Sequence, residues 1–195
     1  LIYSGIFTYF GCHILKREII FVDIALAQLA ALGVTLYDTF GRDHSEWEAT
    51  LLSLILIVAG ASFFSYTKKL KNRVPQEAII GIVYVVGASL ALLITSQSAH
   101  GAEHLQNILN GSILWTTWPK VMVLLLVVSG ITMHHWIYRE RFWKLSHQYR
   151  HSGEDDSGNH IWDFLFYFTL GIIIVTSVKT AGIFLIFTFL IVPAV

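Results

Sequence analysis

His100-Gly101-Ala102-Glu103-His104 carries donors at the spacing His-x-x-Glu-His. On one helix face the two imidazoles could ligate Zn²⁺ and the carboxylate could act as general base, the chemistry of a metalloprotease. Hydrolysis would also need a third protein ligand and a substrate cleft, and neither is identifiable in the sequence. The same donors suit weaker capture of Zn²⁺, Mn²⁺ or Fe²⁺ at the mouth of a pathway. A polar helix start beside a membrane would read the same way.

Asp23 is the second candidate, set in the apolar run Phe21-Val22-Asp23-Ile24-Ala25-Leu26-Ala27-Gln28. An ionisable group at hydrocarbon depth is costly and marks a pathway by default. At interface depth it would instead cap a helix or pair with Lys16 or Arg17. Gln28 lies five residues on, about 140° around a helix, so the two do not share a face. His134 and His135 close an apolar run, while His147, His151 and His160 lie in a polar stretch. His147 and His151 are four apart and could hold a metal on a helix, although solvated loop histidines are commoner.

The elements positioning these residues are apolar segments, at residues 1–15, 19–37, 47–66, 78–95, 120–138, 161–178 and 181–195. A helix crosses the hydrocarbon core with about 20 apolar residues, and such lengths suit helices rather than barrel strands. The expected fold is therefore all-α, a polytopic transmembrane bundle of about seven helices. Gly60, Ala61 and Ser62, then Gly81, Gly87, Ala88 and Ser89, are small residues that would let helix backbones approach. Trp115, Trp118, Trp136, Tyr138, Trp143 and Trp162 flank the segments as interfacial anchors.

Of 13 Lys and Arg residues, ten fall in alternate loops: Lys16 and Arg17; Lys68, Lys69, Lys71 and Arg73; Arg139, Arg141, Lys144 and Arg150. By the positive-inside rule those loops face the cytoplasm. The loops with Asp38, Asp43, Glu46, His100 and Glu103 face outward. Hydrophobic residues make up 55% of the chain and charged ones 13%, against about 25% in soluble proteins, and mean hydropathy is +0.63. Zero net charge argues against nucleic acid as a partner. The single cysteine, Cys12, excludes an internal disulfide framework and a Cys-rich zinc cluster. The first apolar run leads into Lys-Arg and another span rather than a cleavage site. Starting at Leu1 and stopping in an apolar run, the sequence reads as a piece of a longer protein, truncated at both ends.

Four stretches resemble the metal-type ABC transporter permeases of the ABC-3 family. Leu15-Lys16-Arg17-Glu18 leads into Ala25-Leu26-Ala27-Gln28-Leu29-Ala30-Ala31-Leu32-Gly33, like the family's basic turn and small-residue helix. Glu77-Ala78-Ile79-Ile80-Gly81-Ile82-Val83-Tyr84 is similar to its acidic-x-x-Ile-Gly-Ile segment. Leu109-Asn110-Gly111-Ser112-Ile113-Leu114-Trp115 resembles its Phe-Gly-Asn-Leu-Leu stretch. Val178-Lys179-Thr180-Ala181-Gly182-Ile183-Phe184-Leu185, running on to Leu190-Ile191-Val192-Pro193-Ala194, is the most specific match. Order and spacing agree over nearly the whole chain.

The resemblance implies a single permease domain over residues 1–195 of an ATP-driven importer of zinc, manganese or iron in a bacterial inner membrane. It implies a permease dimer in lipid, an extracytoplasmic metal-binding protein, and ATP on a separate cytoplasmic ABC ATPase. No Gly-x-x-x-x-Gly-Lys-Ser/Thr stretch occurs here. Asp23 and Gln28 would line the path and His100, Glu103 and His104 would form an outer capture site. The loop 139–160 would meet the ATPase through Arg139, Arg141, Lys144 and Arg150. The family's second span carries Gly-Asp and, four residues after the Asp, a His. Alignment on Gly33 puts Ile24 at that Asp, Gln28 at that His and Asp23 at the Gly. Import of a chelated metal is the alternative within this class. A metalloprotease using residues 100–104 and a non-transporting assembly subunit are the alternatives outside it.

Overall fold

Wherever the sequence turns apolar, the chain is helical. The computed structural model describes residues 2–40, 46–68, 74–96, 106, 109–111, 116–151 and 160–195, with backbone alone at residues 2, 40, 46, 147–151 and 179. Among them run eight α-helices: α1 (Ile2–Arg17), α2 (Val22–Phe40), α3 (Glu46–Thr67), α4 (Gln76–Thr95), α5 (Trp118–Ile137), α6 (Arg139–His151), α7 (His160–Ala181) and α8 (Ile183–Ile191). A 3-10 turn, Val192–Ala194, follows. Five helices, α2, α3, α4, α5 and α7, are long and apolar enough to cross a membrane. The bundle is all-α and polytopic, and one apolar core draws residues from every helix.

The first and last apolar segments behave differently. α1 has 16 residues, and the last segment breaks at Gly182, leaving α8 nine residues long. Gly182 has φ 75° and Gly111 φ 66°, conformations open to glycine at little cost. Their backbones also press together: a methyl group on Gly182 would overlap the Asn110 carbonyl carbon, and one on Gly111 would overlap the Gly182 nitrogen. Two stretches about seventy residues apart thus meet main chain to main chain.

α2 lies at the centre. Ala25, Leu26, Ala27, Ala30 and Ala31 are buried along it. Gly33 lets α2 approach Ser53 of α3, whose hydroxyl donates to the Ala30 carbonyl at 2.9 Å. Gly60 packs on Leu29 and Gly87 on Gln28, close approaches of the kind that associate helices where no hydrophobic effect acts between them. Gly81 has open space before it, and Ser62 and Ser89 are exposed, so these three are not packing residues here. The outward faces of α4 and α5 expose Ile82, Val85, Leu92, Leu93, Met122 and Leu126. A patch of that size suits hydrocarbon rather than water.

Residues 139–160 read as a loop in sequence, yet 139–151 form α6. Phe142, Leu145 and Ser146 turn inward and are buried, while Arg139, Arg141, Trp143 and Lys144 stay exposed. α6 is short and polar, and its fold depends on the apolar face that α1 and α7 offer it.

Candidate functional site

Ile24 and Gln28 stand four residues apart on α2 and share a face. That face opens on a cavity of about 430 Å³ between α2, α4 and α8, walled by Ile24, Tyr84, Ala88, Leu109, Ile183, Phe184 and Phe187, with the Gln28 amide among them. The wall is aliphatic and aromatic apart from that amide and the tyrosine hydroxyl. Such a cavity can hold a body of low charge and offer a carbonyl oxygen to a cation, and among the described residues its wall carries no carboxylate or imidazole.

Asp23, the other residue expected on the path, is turned about 100° from Ile24 and is not part of that wall. It is the second residue of α2 and only 1% exposed. Neither carboxyl oxygen meets a hydrogen-bond partner among the described residues. Glu77, at the start of α4, comes up to the start of α2. Glu77 itself accepts a hydrogen bond from the Phe21 backbone N–H at 3.0 Å. Asp23 makes no ion pair with Lys16 or Arg17 among the described residues. Arg17 turns the other way, toward α7.

His100, Glu103 and His104 lie outside the described residues. Among the described residues, no group of three or more His, Cys, Asp or Glu side chains could hold a metal ion.

At the basic end, α6 presents Arg139, Arg141 and Lys144 outward. Arg139 stacks on the Trp136 ring at 5.3 Å and Arg141 on Trp162 at 4.9 Å. Such stacking stiffens a long cationic side chain without consuming its charge. Arg150 belongs to α6, but its side chain is outside the description.

Sequence reasoning missed a polar network behind α6. Arg17 is 0% exposed and donates from Nη1 to Asp163 Oδ1 at 3.0 Å. Lys68 Nζ reaches Asp163 Oδ2 at 2.6 Å. Arg17 also donates from Nε to Ser146 Oγ at 3.1 Å, and His13 Nδ1 is 2.8 Å from the same oxygen. Nearby, the His135 ring lies between the Tyr9 hydroxyl at 3.1 Å and the Thr169 hydroxyl at 2.9 Å and stacks on Phe142 at 4.2 Å. The available signal was Asp163 in an otherwise apolar helix start, where a carboxylate needs a cation. These contacts also put Arg17, Lys68 and Asp163, from three basic loops or their edges, at one end of the bundle, as the alternating charge requires.

The model of the ABC 3 transport family matches residues 1–195. A chain of PsaBC from Streptococcus pneumoniae, solved in complex with Fab, shares the fold at a TM-score of 0.70 and 19% identity. That alignment covers 97% of this chain and 66% of the PsaBC chain, so the sequence spans less than two thirds of that structure's length. Comparison with curated proteins gives no match.

Proposed function

This chain belongs to the ABC 3 transport family, and from that premise we propose that it is the membrane-spanning subunit of an ATP-driven importer of a divalent metal ion. Zinc, manganese and iron are the candidate cargoes. The family match over residues 1–195 carries the reading, and five helices of spanning length support it. The chain hydrolyses nothing itself. A cytoplasmic ABC ATPase supplies the energy, an extracytoplasmic metal-binding protein delivers the ion, and two permease copies enclose the path in a bacterial inner membrane.

In this reading His100, Glu103 and His104 capture the ion outside. Gln28 offers its amide oxygen midway, and Asp23 stands beside the path toward the basic end. The exposed face of α6, with Arg139, Arg141, Lys144 and Arg150, meets the ATPase. ATP binding and hydrolysis bias the bundle between two states that open the path to opposite sides.

One observation favours a second cargo within the same class. The wall around Gln28 is largely apolar, and a chelated metal brings its own donors and needs few from the protein. The test is the multi-element metal content, by plasma mass spectrometry, of metal-starved cells with and without the full-length gene. Loss of one element, restored by wild type and not by Asp23→Ala, supports a free-ion importer and names the cargo. An unchanged zinc, manganese and iron profile refutes that cargo and leaves another complexed substrate or the non-transporting alternatives. Glu103→Gln separates the protease alternative, since it would abolish proteolysis but only weaken outer capture, leaving transport mostly intact.

A further inference from the structure

Arg17 sits at the end of α1 with its charge fully buried. Burying an ion pair is weak evidence for stability, because apolar side chains of equal volume often hold helices as well or better. What the guanidinium adds is direction. Its planar fork aims Nε at Ser146 on α6, at 3.1 Å, and Nη1 at Asp163 on α7, at 3.0 Å, while its face rests on the Phe166 ring at 3.9 Å. The Ser146 hydroxyl accepts from Arg17 and also pairs with His13 Nδ1, 2.8 Å away on α1. Lys68, at the end of α3, completes the set on Asp163. One side chain thus ties α6 to α1 and α7 by directed bonds.

We propose that Arg17 is a positioning residue that makes α6 move as one body with α1 and α7, transmitting displacement of α6 into the spanning helices. The proposal rests on the reading of α6 as the ATPase contact. Ser146 shares α6's inward face with Phe142 and Leu145, while Arg141 and Lys144 point outward. A push on the outer face reaches the bundle through this inward face, where Ser146 is the residue bonded to Arg17. Apolar contacts alone let a short helix slip or roll; a planar guanidinium bonded through both Nε and Nη1 resists that. Lysine keeps the charge beside Asp163 but lacks the fork that serves both acceptors at once.

The test compares wild type, Arg17→Lys, Ser146→Ala and the double variant, each the full-length protein assembled with the ABC ATPase that co-purifies with it. Hydrogen-exchange mass spectrometry reads the amides of α1, α6 and α7 without nucleotide and after trapping with Mg-ATP and vanadate. In wild type, trapping changes exchange in all three helices. In either single variant the change persists in α6 but shrinks about fivefold or more in α1, the size of a typical coupling free energy. The double variant is no worse than either single one, because both cut the same link. A purely structural role instead raises exchange in α1 equally with and without nucleotide, leaving the trapping difference intact, and that result overturns the proposal. If Arg17→Lys does not accumulate, Ser146→Ala carries the test alone. A wild-type protein that retains no ATPase overturns the importer reading and this coupling with it, whereas a trapped wild type that responds beside variants that respond equally overturns only the coupling.

Discussion

Replacing Asp163 with Ala removes the carboxylate that faces two cations. The acid is 0% exposed, with Arg17 at 3.0 Å and Lys68 at 2.6 Å. The two cations do not suffer equally. Lys68 is 13% exposed, so its ammonium stands nearer water and loses less than Arg17 does when the carboxylate goes. Arg17 is fully buried, and stripping a buried charge of its counter-ion costs about 3–5 kcal/mol. The Arg17 contribution therefore dominates. At about 2–4 °C per kcal/mol for a chain of this size, the variant should melt roughly 6–20 °C lower. Asp163→Asn keeps an acceptor for Arg17 and should fall between wild type and Asp163→Ala. Adding Arg17→Met to Asp163→Ala removes the stranded charge and should recover part of the loss. The assay is thermal unfolding of the detergent-solubilised protein, followed by size-exclusion fluorescence. A shift no larger than that of the exposed variant Glu140→Ala, or a double variant as damaged as the sum of its singles, would refute a desolvated ion pair at this site.

Gly182→Ala and Gly111→Ala each force a side chain into a positive-φ conformation costing about 1–3 kcal/mol and into backbone overlap besides. Both should accumulate poorly in membranes, while Gly81→Ala, which meets open space, should match wild type by immunoblot. Gln28→Leu removes the Gln28 amide from the cavity wall and should lower uptake, whereas Gln28→His adds an imidazole and should shift preference toward zinc; competition among metals in vesicles reads both. His135→Ala deletes the side chain between Tyr9 and Thr169 and the Phe142 stack, and should lower the melting temperature by several degrees.

Class and threading were legible in the residue order alone. Hydrocarbon leaves a backbone no partner but itself, so long apolar runs become helices, and ten clustered cations on alternate loops set which ends belong together. Gly60 and Gly87 also carried their meaning locally, because a missing side chain is a place where another helix can come close, whereas Gly81 gave the same signal and meets open space. The family resemblance, resting on four short stretches, was readable for the same reason: each keeps its spacing along one segment.

Other features depended on neighbours distant in sequence. The residues 139–151 are too polar and too short to declare a helix; α6 exists because Phe142, Leu145 and Ser146 find a face built by α1 and α7. The phase of α2 was computable, but which side meets a cavity was not, so Asp23 and Gln28 looked alike as path residues until α4 and α8 closed around Ile24 and Gln28. Arg17 and Asp163 are 146 positions apart, and nothing near either names the other. Apolar periodicity tells a residue how deep it lies, because depth is a property of its own helix. Partnership is a property of two helices at once, and only the packed bundle decides it.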